Sequence, residues 1–151
     1  MLNADSIKVN DSLRYTTPKG KSVYGGGGIT PDIFVPIDTT GVGNFFVKVS
    51  NAGLTFRFSA KMADEYRQTL NKITTLSGLY DFFSGVNFDN KFLDYASKNG
   101  VVAGKGEWDE SKDLILNHIK AFVGRYTPLD DNAFYPILLE KDNAVIEAIG
   151  Q

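Results

Sequence analysis

Two rhythms of apolar and polar residues run along this chain, and they change over near Gly41–Asn44. Before that point Ile7, Val9 and Leu13 stand at nearly alternating positions, the spacing of a strand with one covered face. Ser12–Thr16 and Ser22–Tyr24 flank the turn-forming residues Pro18, Lys19 and Gly20, which predicts a β-hairpin or two short strands joined by a tight turn. A lone hairpin is marginal in water. The segment therefore reads as the end of a sheet whose other strands lie elsewhere.

Beyond Asn44 the rhythm is helical. Phe58, Met62, Tyr66, Leu70 and Ile73 fall on one stripe and Arg57, Lys61, Asp64, Gln68 and Asn71 fall opposite, which predicts one helix with a buried face. Leu79, Tyr80, Phe82 and Phe83 predict a short second helix. Phe88, Phe92 and Ala96 predict a third, closed by Lys98, Asn99 and Gly100. A longer helix is expected to open at Asp109 or Ser111 and run to about Tyr126, with Ile115, Ile119, Phe122 and Tyr126 inward and Pro128 as its stop. Asp130 is a candidate cap for the next helix, which Pro136 would bend or break, and Asp142 for a last one carrying Val145, Ile146 and Ile149. The expected fold class is mainly α: residues 42–151 form a bundle of about five or six short helices, and residues 1–41 precede it as a β-hairpin or extended segment.

Composition narrows the function classes. Lys and Arg total 16 against 18 Asp and Glu, so there is no basic field to attract phosphate, and nucleic acid is not an implied partner. No apolar run approaches the roughly 18 to 20 residues that cross a bilayer, and no basic start with an apolar block opens the chain, so it reads as soluble and without a targeting segment. Without cysteine there is no disulfide, thiolate zinc site or cysteine nucleophile.

Candidate chemistry is sparse. Gly20-Lys21-Ser22 has the ending of a phosphate-binding loop, but the earlier glycine that such a loop needs is Tyr15 here. The Gly25–Gly28 run is not followed by the strand, helix and acidic residue of a dinucleotide site, and reads as backbone needing positive φ or close packing. His118, the single histidine, lies at the edge of an apolar stripe and reads as a boundary residue without a catalytic role. Asp109, Glu110, Asp113, Asp130 and Asp131 match no calcium-loop spacing and read as solvated faces and helix caps. Trp108 and the 11 phenylalanines are expected in core or interface. No catalytic, cofactor-binding or metal-binding residue is assigned.

The most specific feature is an ordered segment. Tyr15-Thr16-Thr17-Pro18-Lys19-Gly20-Lys21-Ser22-Val23-Tyr24, followed by the four glycines and Ile29-Thr30-Pro31-Asp32-Ile33-Phe34-Val35-Pro36, resembles the signature that ends the catalytic core of bacterial tail-specific, or C-terminal processing, serine peptidases. A weaker similarity to the C-terminal extension of that family rests on Ala133-Phe134-Tyr135 and on Asp142 to Ala148. The resemblance implies a parent enzyme that hydrolyses protein or peptide substrates in the cell envelope or periplasm with a serine nucleophile and a lysine base. Such a lysine must be neutral to accept the serine proton, which requires a desolvated pocket. In the family both residues, and the peptide-docking PDZ module, lie upstream of the signature. Ser6, Lys8 and Ser12 do not occupy those positions, so this portion is expected to be noncatalytic and inactive alone. A stand-alone helical interaction or oligomerisation module is the alternative, with copies pairing through the helices or through the open edges of the hairpin.

Overall fold

The structure is a computed structural model that describes residues 11–20, 22–25 and 33–150. The strand expected around Ile7 and Val9, and residues 26–32 of the glycine-rich signature, lie outside the described residues. Two compact units are formed, one from Met1–Asp38 with Asn143–Gln151 and the other from Thr39–Asp142.

In the first unit a 3₁₀ turn, Asp11–Leu13, leads into β1 (Arg14–Thr16), which pairs antiparallel with β2 (Ser22–Tyr24). Tyr15 faces Val23 in the register, and the Arg14 guanidinium donates to Ser22 Oγ at 2.9 Å. Between the strands the Gly20 N–H donates to the Thr17 carbonyl at 2.8 Å, and Gly20 has φ +81°. Pro18 fixes the first corner of that turn, and Gly20 takes the left-handed conformation that a side chain would strain. The hairpin is therefore where the sequence put it. The same unit holds α8 (Asn143–Ile149), which leaves Ile146 and Ile149 exposed.

The second unit contains α1 (Asn44–Asn51), α2 (Leu54–Glu65), α3 (Arg67–Leu70), α4 (Leu76–Gly85), α5 (Phe88–Lys98), α6 (Glu107–Gly124) and α7 (Asp131–Leu138). Helix α6 is its centre and packs against α1, α2, α5 and α7. Ile115, Ile119 and Val123 of α6 are fully buried, along with Phe45 and Val49 of α1, Leu54 of α2, Leu79 of α4 and Phe92 of α5. Rings do much of the filling: Phe92 meets Phe58 at 5.3 Å, Phe45 at 6.4 Å and Trp108 at 6.2 Å. The chain is mainly α with a small N-terminal hairpin, as its periodicity predicts.

Several details depart from the sequence reading. Helix α1 was not anticipated, because its buried pair Phe45 and Val49 covers only one turn. The stripe from Phe58 to Ile73 is not one helix: the backbone steps at Tyr66 (φ −107°, ψ 18°), and Leu70 is delivered by the separate α3. With α1 and this division, the described residues hold eight α-helices rather than about five or six.

Helix α6 opens earlier than Asp109 or Ser111. Gly106, at φ +78°, is its N-cap, and Glu107, Asp109 and Glu110 occupy the first turn, where carboxylates favour the helix dipole. Ser111 is a buried packing residue. The helix ends at Gly124, before Pro128, because the Gly124 carbonyl accepts from the Thr127 hydroxyl at 2.6 Å and from the Thr127 N–H at 3.0 Å. Tyr126 consequently lies beyond the helix and is 46% exposed rather than inward.

Asp130 does sit at the N-cap of α7, but with φ 48° and no side-chain capping bond. Pro136 lies within α7 without breaking it, and the helix continues to Leu138. The carbonyl that Pro136 leaves without an N–H partner belongs to exposed Asn132, where water can reach it.

Candidate functional site

The residues singled out from sequence do not converge. His118 is half-buried on α6 with its ring edge-on to Phe46 at 5.6 Å, and burial holds its pKa below the ordinary value. Asp109 pairs with Lys112 at 3.4 Å, and Asp130 and Asp131 pair with Arg125 at 3.8 and 2.7 Å. Among the described residues no group of three or more His, Asp or Glu is placed to hold a metal ion.

The junction of α1 with α6 is tighter than any of these. A Cβ on Gly43 would lie 2.5 Å from Glu110 Oε2, the far end of an exposed side chain that can swing aside, and 2.9 Å from Oγ of the buried Ser111, so a side chain there would have to displace both. One turn earlier on α6, Glu107 accepts from the Gly104 N–H at 2.8 Å and pairs with Lys48 of α1 at 3.4 Å. The Gly104 bond first, then Lys48 and Asn44, hold the Glu107 carboxyl below the usual range against the opposing effect of burial. These contacts fix α1 on α6 and supply no nucleophile.

A small groove of about 160 Å³ lies between α2 and α5. Phe58 and Met62 form its closed floor, while Lys61, Asp94 and Lys98 stand on its rim. The Lys91–Glu65 pair at 2.7 Å lines it too, and this contact lowers the Glu65 pKa and raises that of Lys91. Lys61 lies 5.6 Å from the Tyr95 ring centroid and Lys91 5.4 Å from that of Tyr66. Cations over rings in half-exposed positions are the ordinary covering of a helical surface.

A row of rings also runs across α2, α6 and α7. Phe56 meets Phe122 at 5.5 Å, Phe122 meets Phe134 at 5.5 Å, and Phe134 meets Tyr135 at 5.1 Å. The inner members are covered to different degrees: Phe122 is partly buried and Phe134 is only 8% exposed, with the Arg125 guanidinium 4.6 Å over its ring. The ends are open, Phe56 at 54% and Tyr135 at 50%. Sequence reasoning assigned the phenylalanines to core or interface together and did not single out Phe56. The signal was present, because Phe56 is two residues from the buried Phe58 and so about 200° around the helix from it. Chemically the row offers apolar and π contact, with the Tyr135 phenol as its polar end.

Residues 45–127 match a protein family of unknown function, DUF8443, and the chain belongs to that family. No curated protein and no solved structure matches the chain.

Proposed function

We propose that this chain is the noncatalytic C-terminal portion of a serine endopeptidase of the C-terminal processing type. Residues 14–24 would be closing strands of the peptidase core, and residues 39–142 an accessory helical unit. The observation that carries the reading is the ordered segment from Tyr15 to Pro36. Its first half folds as a hairpin, with Pro18 and Gly20 making the turn between β1 and β2. Both strands expose side chains, which suits strands that have further neighbours.

On this reading the parent acts on proteins or peptides in the cell envelope, and its serine and lysine lie upstream of the signature. The helical unit braces that core or shapes access to it. None of its helices among the described residues is long and apolar enough to cross a membrane.

The test is a comparison of hydrolysis. The chain alone is expected to leave a fluorogenic peptide intact, whereas the polypeptide encoded together with the reading frame ahead of Met1 is expected to cleave it and to lose activity when its serine is replaced. A frame that begins at Met1 with no peptidase core ahead of it would overturn the proposal. A second reading, a helical interaction module without a peptidase, is favoured by one observation, the open ends of the aromatic row.

A further inference from the structure

We propose that Asn99–Gly100, at the end of α5, is a site of spontaneous covalent modification, where the backbone itself converts the asparagine to aspartate and isoaspartate at a rate set by opening of the helix cap. The inference uses only α5 and its exit, and is independent of the peptidase reading.

Of the asparagines in the chain, Asn99 alone is followed by glycine. The Gly100 backbone nitrogen, once a solvent base has taken its proton, attacks Asn99 Cγ. A C–N bond forms, the Cγ–Nδ2 bond breaks, and the amide nitrogen takes a proton from water and leaves as ammonia. Water then opens the five-membered succinimide, either at Cγ to give aspartate or at the main-chain carbonyl carbon of residue 99 to give isoaspartate, whose backbone is one carbon longer. Glycine favours the ring closure because it has no Cβ to obstruct it. Both residues are exposed, and a Cβ on Gly100 would meet nothing within 4 Å, so solvent base has access.

The cap of α5 ties down both reacting groups. Asn99 Nδ2, the leaving group, donates to the Tyr95 carbonyl at 2.8 Å, which turns the carboxamide back along the helix. The Gly100 N–H, the nucleophile, donates to the Ser97 carbonyl at 3.0 Å, and the Val101 N–H donates to the Ala96 carbonyl at 3.0 Å, with Gly100 at φ +81°. That pair of bonds is the closure of a helix end on a left-handed glycine. Reaction therefore waits on fraying of the last turn, where helices open first. The product cannot rebuild the cap. An aspartate carboxylate only accepts, so it faces the Tyr95 carbonyl without a hydrogen and adds negative charge at the negative end of the helix. Val101 and Ala103 beyond it pack on the core, so conversion loosens the exit from α5.

The experiment incubates the full chain at mildly alkaline pH, folded in buffer and unfolded in guanidinium chloride, and follows each asparagine by peptide chromatography and mass spectrometry. Asn99 is expected to convert ahead of every other asparagine in both, giving two products of equal mass, and about tenfold more slowly in the folded chain because the cap's hydrogen bonds must open first. In guanidinium chloride, where folding plays no part, Gly100→Ala is expected to slow conversion severalfold. Converted chain, separated by its added negative charge, is expected to exchange its amides at residues 100 and 101 faster than unconverted chain. Equal rates in the folded and unfolded chain, or unchanged exchange after conversion, would overturn the role of the cap. Another asparagine converting first, or no conversion in the folded chain when the unfolded one is complete, would overturn the site.

Discussion

Gly124 on α6 faces Ala133 on α7 so closely that a Cβ at position 124 would lie 3.0 Å from that of Ala133 and 3.1 Å from Leu79 Cδ2. The packing of α7 on α6 therefore depends on a missing side chain. Gly124→Ala would gain about 0.5–1 kcal/mol of helix propensity and lose about 1–3 kcal/mol by overpacking. Net destabilisation is expected in a denaturant titration. Because the clash is specific to the pair, Gly124→Ala combined with Ala133→Gly should be less destabilised than the sum of the single changes, by about 0.5 kcal/mol or more. Strict additivity would show that α7 moves aside freely.

The single histidine sets a pH dependence whose sign follows from its surroundings. Burial lowers the His118 pKa in the folded chain, so the unfolded chain binds the proton more readily. The associated stability is fully present above the unfolded value of about 6.5 and is lost as pH falls from there through the folded pKa. Thermal midpoints should drop between pH 7.5 and 5, and His118→Gln should flatten that drop. An imidazole titration by NMR with a midpoint at or above 6.5 would contradict the account.

Trp108 reports on the core it helps to close. It is the single tryptophan, and its ring meets Phe92 at 6.2 Å and Phe45 at 6.1 Å. Phe92 is fully buried, so Phe92→Ala should cost about 3–5 kcal/mol, a large part of the about 5–15 kcal/mol of a typical domain. Phe92→Leu should cost distinctly less. Trp108 fluorescence during unfolding is expected to separate the three proteins.

Glu107 governs a lower pH range. Its folded pKa is depressed, chiefly by the Gly104 N–H, so its contribution is present above the unfolded carboxyl value and is lost as pH falls through the folded one. Replacing it with Gln should weaken the attachment of α1 to α6 at neutral pH and make stability less sensitive to acid below about pH 4.5. Amide exchange in α1 would show the loosening, and unchanged exchange would assign α1 docking to Phe45 and Val49 alone.

Much of the fold could be read from residue spacing, where burial repeats over several turns. Phe88, Phe92 and Ala96 fixed α5, and Gly100 at φ +81° closes it as the Lys98-Asn99-Gly100 ending predicted. Spacing could not reveal α1, whose buried face is a single pair, nor the step at Tyr66, which leaves the apolar stripe intact while breaking the backbone. The end of α6 was misplaced for a similar reason. Pro128 is the stop visible in sequence, but the Thr127 hydroxyl on the Gly124 carbonyl acts first, a local bond three residues back that no breaker residue marks. The aromatic row was hidden differently, since residue type alone does not say which phenylalanines remain outside.

If this helical chain is part of a larger peptidase, as we propose, the mass of the protein in its cells reveals it. Antibody raised against residues 39–142 would recover the native protein for intact-mass measurement and peptide sequencing. The expected result is a polypeptide well above the 16.6 kDa of these 151 residues, with the catalytic serine and lysine in its additional sequence. A native species of 16.6 kDa, or a larger one without that pair, would contradict it.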